Sequence, residues 1–104
     1  MSNAKPTLIQ VQVSDLEKIP GWILSQDGLK ITKEFKFKGF EEAFKFMTAC
    51  YPIIEEMNHH PDWFNCYSLV KVHLTTHDLG GVSPKDIELA KAMNQVFDRQ
   101  KNLG

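Results

Sequence analysis

Apolar and polar positions change period along this chain, and each change marks a boundary. Between Trp22 and Gly39, two apolar-rich runs flank Gln26-Asp27-Gly28. A short polar segment ending in glycine suits a tight reversal, so this stretch is predicted to form a β-hairpin. In its second arm Ile31, Phe35 and Phe37 share one face with Lys33, while Lys30, Thr32, Glu34, Lys36 and Lys38 share the other. Such alternation predicts a strand with one buried and one wet face. From Phe40 the spacing becomes three and four. Phe40, Ala43, Phe44, Met47, Tyr51 and Ile54 trace one face of an amphipathic helix that runs to Glu56 or Met57. Pro52 lies inside it, removes one backbone hydrogen bond and is expected to kink the last turn.

Beyond the helix, Val70, Val72 and Leu74 alternate with Lys71, His73 and Thr75. A continuous strand from Asp62 to Thr76 would reach about 50 Å, too long for so small a domain, so a break at Tyr67-Ser68 and two strands are expected. Ser83-Pro84-Lys85-Asp86 opens a final helix, with Ser83 as N-cap, Pro84 in the first helical position and Asp86 three residues after the cap. Ile87, Ala90, Met93, Val96 and Phe97 supply its apolar stripe. Near the N-terminus two readings compete. "TLIQVQV" alternates like a strand, while Ser14 and Glu17 form a capping-box pattern for a short helix stopped by Pro20-Gly21. Together these elements give an α+β fold, a four-stranded antiparallel sheet with helices packed on one face. The whole span 1–104 reads as one domain, with residues 1–7 a flexible tail.

Composition narrows the function classes. The chain is 42% hydrophobic and 24% charged, ordinary for a globular protein, and its net charge is −1. Without a basic surplus, direct binding of nucleic acid is not expected. No apolar run approaches the roughly 18 residues of a membrane span, and no signal-peptide pattern opens the chain. Two cysteines, Cys50 and Cys66, lack any metal-binding or disulfide-framework spacing and read as small buried hydrophobes in a reducing, cytoplasmic setting.

The candidate chemistry is carried by histidines. His59 and His60 are adjacent and precede Pro61, which disfavours helical geometry at His60. On regular backbone the two rings would diverge, so they can serve one target only where the backbone is irregular. His77 stands at the end of a predicted strand, before Gly80-Gly81. Imidazole exchanges protons near neutral pH, so a pair flanking one small molecule could supply an acid and a base. His73, on the polar face of its strand, reads as structural. Asp86 is accounted for as a helix cap, which leaves a second role open. No H-E-x-x-H or comparable spacing supports a metal site.

The spacing from Glu55 to His59-His60-Pro61, Tyr67, His77 and Asp86 resembles that of the pterin-4a-carbinolamine dehydratase family. "GWILSQDGLKITKEFKF", "FEEAFKFM", "HHPDWFNCY" and "LTTHDLGGVSPKDIELA" resemble it too, so that the likeness spans Gly21 to Met93. The resemblance implies a hydro-lyase that removes water from a 4a-hydroxytetrahydropterin to give the quinonoid dihydropterin, recycling the pterin of an aromatic amino acid hydroxylase. It implies His59 and His77 as the acid/base pair, with His60 also in the catalytic set and holding the pterin. Glu55, Asp86, Trp22 and Trp63 are implied as further substrate-binding residues. No cofactor and no metal are implied. The implied partners are the small-molecule pterin and further copies of the chain, as a homodimer or homotetramer. A non-catalytic module on the same fold, binding pterin or acting as a coactivator-like dimerisation partner, is the alternative.

Overall fold

The structure, a computed structural model, describes residues 9–103. The expected N-terminal tail and the first two residues of "TLIQVQV" lie outside them. Within the described part, Ile9 to Gln12 form no strand. Helix α1 (Val13–Glu17) follows instead. Its start is set by Asp15, whose carboxylate accepts the Gln12 N–H at 2.9 Å, the role that the capping-box reading gave to Glu17. The helical alternative is therefore the one adopted, shifted two residues towards the N-terminus.

Strands β1 (Ile23–Leu24) and β2 (Ile31–Lys36) form the expected hairpin. Asp27 braces its turn by accepting from Ser25 Oγ at 2.6 Å and from the Leu29 N–H at 3.0 Å, contacts that lower its carboxyl pKa. Helix α2 (Phe40–Met57), strands β3 (Asp62–Cys66) and β4 (Leu69–Leu74), and helix α3 (Pro84–Leu103) complete the fold. The break between β3 and β4 falls at Tyr67-Ser68, as the strand-length argument requires, with Tyr67 at φ +51°. The sheet is antiparallel in the order β1-β2-β4-β3, with the helices on one face, so the fold is α+β.

Ile31 and Phe35 of β2 and Val70, Val72 and Leu74 of β4 point to the helices and are fully buried or nearly so. Phe35 is central, with ring centroids 4.6 Å from Phe46, 5.2 Å from Phe97 and 6.0 Å from Trp22. Lys33 also points inward. Its ammonium is held by the Pro20 carbonyl at 3.0 Å and Asn94 Oδ1 at 2.8 Å, and partial burial lowers its pKa against the opposing pull of Asp98. The stem of Lys33 packs on Gly21, at φ +87°, where a Cβ would come within 2.7 Å of it.

Helix α2 keeps part of the expected face, with Ala43 and Ile54 buried and Met47 packed against the core, and departs from it in the rest. Ala43, Phe46, Cys50 and Ile54 are its buried residues, while Phe40, Phe44 and Tyr51 are exposed. The helix carries two apolar stripes, and the sheet takes the one that sets Phe46 against Phe35 and Phe37. Cysteine burial also divides. Cys50 is buried, and burial pushes its thiol pKa up to about 12, whereas Cys66 is exposed on the outer face of edge strand β3. The reason is register: Cys66 pairs with Leu69 on the face that no helix covers. Among the described residues no helix is long and apolar enough to cross a membrane.

Pro52 is accommodated inside a helix assigned without interruption from Phe40 to Met57. It leaves the Thr48 carbonyl without its intrahelical donor and is exposed. Pro52→Ala is expected to raise unfolding stability by about 1–2 kcal/mol, the restored helix bond outweighing the added freedom of the unfolded chain. Urea unfolding of the two proteins measures this, and a loss of stability would show that Pro52 is required for the helix geometry.

Candidate active site

Helix α2 ends on Asn58 in the left-handed conformation (φ 50°, ψ 45°). The Asn58 N–H donates to the Glu55 carbonyl at 3.1 Å and the His59 N–H to the Ile54 carbonyl at 3.3 Å. These two bonds form a Schellman turn, and asparagine is one of the few residues that enters this region at low cost. The turn reverses the chain so that His59 drops back under the helix end while His60 stays outside. The irregular backbone that adjacent histidines require is thus produced by Asn58, with Pro61 then leading into β3.

His59 is nearly enclosed, its side chain 10% exposed, and its Nε2 lies 2.6 Å from Asp86 Oδ1. Asp86 has no exposed side-chain surface. Its other oxygen, Oδ2, accepts from Thr76 Oγ1 at 2.8 Å and from the Ser83 N–H at 2.9 Å. The single Thr76 hydroxyl proton goes to the carboxylate, so the 2.6 Å contact between Thr76 Oγ1 and Ser83 Oγ has Ser83 as donor. Asp86 therefore caps α3, as the sequence suggests, and holds His59 at the same time. It has no surface on which to meet a substrate.

A carboxylate only accepts, so the imidazole nitrogen facing it carries the hydrogen. His59 is oriented with Nε2–H towards Asp86, which leaves Nδ1 as the free lone pair. The other two histidines repeat the arrangement more openly. His60 Nε2 lies 2.9 Å from Glu55 Oε2, and His77 Nε2 lies 3.5 Å from Asp62 Oδ2. His77 is 65% exposed. It sits in a turn closed at its base by the Thr76 N–H donating to the Gly81 carbonyl at 2.7 Å, with Gly80 at φ +69°.

Two carboxylates thus tie the histidines to one end of the sheet. Asp86 joins His59 to Thr76, the residue before His77. Asp62, which opens β3 directly after the His59-His60-Pro61 run, faces His77. Trp63 of β3 pairs with Val72 on the helix side of the sheet and is half-buried. Trp22 is not brought beside the histidines. It precedes β1, at the edge of the sheet opposite β3, is buried, and donates its Nε1–H to Asn94 Oδ1 at 3.0 Å. His73 lies on the outer sheet face with Nδ1 2.9 Å from Thr32 Oγ1. Partial burial, then Lys30 and Lys71, hold its pKa below the usual histidine range.

Sequence reasoning missed Thr76 and Ser83 as partners of Asp86, because a hydroxyl beside a histidine carries no periodic signal. It also passed over Asn58, although asparagine immediately after a helical stripe is a recognised stop signal.

Comparisons with known proteins show what the chain is similar to. A protein of Sinorhizobium fredii is 49% identical over 81 residues, 78% of this chain and 77% of its own length. One of Rhizobium johnstonii is 46% identical over 99 residues, 95% of each chain. Both carry the name pterin-4-alpha-carbinolamine dehydratase as a provisional assignment. A crystal structure from Brucella melitensis, titled transcriptional coactivator/pterin dehydratase, superposes with a TM-score of 0.78 at 38% identity, covering 85% of this chain and 98% of that one. A pterin dehydratase-like protein described as a RuBisCO assembly factor shares the fold, with a TM-score of 0.64 at 18% identity over 77% of this chain and 93% of that one. The sequence pattern of the family described as Pterin 4 alpha carbinolamine dehydratase matches residues 4–96, and the chain belongs to that family.

Proposed function

We propose that this protein removes water from a 4a-hydroxytetrahydropterin by histidine acid/base catalysis. The observation that carries the reading is the Asp86 carboxylate, which orients His59 and anchors Thr76 next to His77. In the reaction the C4a–O bond breaks as the hydroxyl takes up a proton and leaves as water. The N5 proton departs, and its electron pair forms the C4a=N5 double bond of the quinonoid product. One proton is given and one is taken, so no external oxidant or reductant is needed.

The environments suggest which imidazole does which. The buried Asp86 carboxylate would stabilise positive charge on His59, and the free Nδ1 of that ring can accept the N5 proton. His77 is open to water and can recover a proton from solvent, which suits the acid that protonates the leaving hydroxyl. His60, braced by Glu55 at 2.9 Å, is assigned in this reading to holding the pterin ring. Asp86 acts through His59 as a positioning residue. Trp63 follows Asp62 on the same edge strand, whereas Trp22, at the opposite edge, supports the core.

Self-assembly as a dimer or tetramer is part of the proposal. It is supported by the exposed Phe40, Phe44 and Tyr51 of α2, with the Phe40 and Phe44 rings stacked at 5.7 Å. The same exposed face supports the second reading, a binding module without catalysis.

Turnover separates the two readings. His77→Ala is expected to lower kcat for the pterin carbinolamine by about 10²–10³-fold, within the range of one general acid. Because the side chain is exposed, unfolding stability should stay within about 1 kcal/mol. His59→Gln, which can still donate to Asp86, should lower kcat similarly, while His60→Ala should mainly raise KM. No turnover in the wild type would leave the binding module as the reading, and wild-type turnover in both the His59 and His77 variants would remove their acid/base roles. For assembly, light scattering should give the wild type a multiple of its 11.9 kDa chain mass, and Phe44→Glu should reduce it. A wild type at the monomer mass would remove self-assembly from the proposal.

A further inference from the structure

The sheet end away from the histidines carries a second feature. A cavity of about 810 Å³ lies where β2 ends, between α2 and α3. Its size falls within the roughly 300–1,000 Å³ of small-molecule sites. Its mouth lies away from the histidine end, since Lys36 pairs with Leu69, whereas Asp62 pairs with His73 near the opposite end of β4. Its apolar lining comes from all three elements: Phe37, Ala49, Ile53 and Val96. Gln100 closes the helix pair at this end, its Nε2 donating to the Glu42 carbonyl at 2.8 Å.

The charge around it is one-sided. Lys36, Lys38, Lys45, Arg99 and Lys101 line the cavity, five of the twelve Lys and Arg residues of a chain whose net charge is −1. Of these, Lys45 has a carboxylate partner, Glu41 at 3.2 Å, and Lys101 lies 5.1 Å above the Phe97 ring. Lys36, Lys38 and Arg99 have no carboxylate within 4.0 Å among the described residues. The one acidic lining residue is Glu42, and its Oε1 is turned to the Lys38 N–H at 3.4 Å. Cations gathered around an apolar hollow repel one another and gain from an anion whose body fills the hollow.

We propose that this cavity binds a small amphipathic anion, an apolar ring or short chain carrying a carboxylate, sulfonate or phosphate. The apolar body occupies the hollow between Phe37, Ile53 and Val96, and the anionic head meets Lys36, Lys38 and Arg99 at the rim. The site stands apart from the histidine chemistry, so the failure of either proposal leaves the other in place.

Anilinonaphthalene sulfonate is a suitable probe, because it joins an aromatic body to a fixed negative charge. Fluorescence titration of the full-length protein should give saturable binding that weakens as salt is raised. Backbone amide NMR shifts should centre on Phe37, Ala49, Ile53 and Val96. The double variant Lys36→Gln/Arg99→Gln should weaken the probe by about tenfold, as expected for two solvent-screened charges. Ala49→Trp, which fills the hollow from an exposed position, should abolish binding with the rim charges intact. Unchanged affinity in both variants would overturn the proposal. So would shifts centred on the histidine end or on the Phe40 and Phe44 face.

Discussion

The buried Asp86 carboxylate is the constraint around which the histidine end of this protein is arranged. It accepts from His59, Thr76 and the Ser83 backbone, and so joins the end of α2, the loop after β4 and the start of α3. A charge taken wholly out of water is costly unless its oxygens are filled, and here each oxygen has at least one donor. Among the described residues no buried side-chain polar atom lacks a partner. Losing His59 would strip Oδ1 of its donor, and losing Thr76 or the Ser83 bond would leave Oδ2 with one donor in place of two, so the carboxylate couples the positions of the three segments.

This arrangement also gives the histidines different environments. His59 is oriented by a buried anion and has little freedom. His60 and His77 face exposed carboxylates across 2.9 and 3.5 Å and remain open to solvent. The proposed chemistry, which accepts a proton at one atom and donates one at another, benefits from unlike environments around like groups. The protein obtains that difference from burial, using the same residue type and the same acid–imidazole pairing three times.

Much of the scaffold was legible in the sequence because its signals are local. Gln26-Asp27-Gly28 marks the hairpin, alternation marks β2 and β4, and Ser83-Pro84 opens α3 within a residue of where the helix begins. The face of α2 was not legible. Phe40, Phe44 and Tyr51 offer as good a stripe as Phe46, Cys50 and Ile54, and only packing against Phe35 selects between them. The histidines themselves stood out, but the reason they gather did not. His59 and Asp86 are 27 residues apart, and Asp86 looks complete as a helix cap without any partner. Trp22 shows the converse, since its sequence neighbourhood matches the family pattern while its side chain serves the core through Asn94.

The most direct test of the central claim is the protonation pattern of the His59 ring. Long-range proton–nitrogen NMR at a pH where the imidazole is neutral reports which nitrogen carries the hydrogen. If Asp86 orients His59, the wild type must show the hydrogen on Nε2 and a bare Nδ1. In Asp86→Asn the amide can keep the Thr76 and Ser83 bonds through its oxygen while presenting N–H to the ring, and the hydrogen should move to Nδ1. A wild-type ring already protonated on Nδ1, or a pattern indifferent to the substitution, would contradict the account.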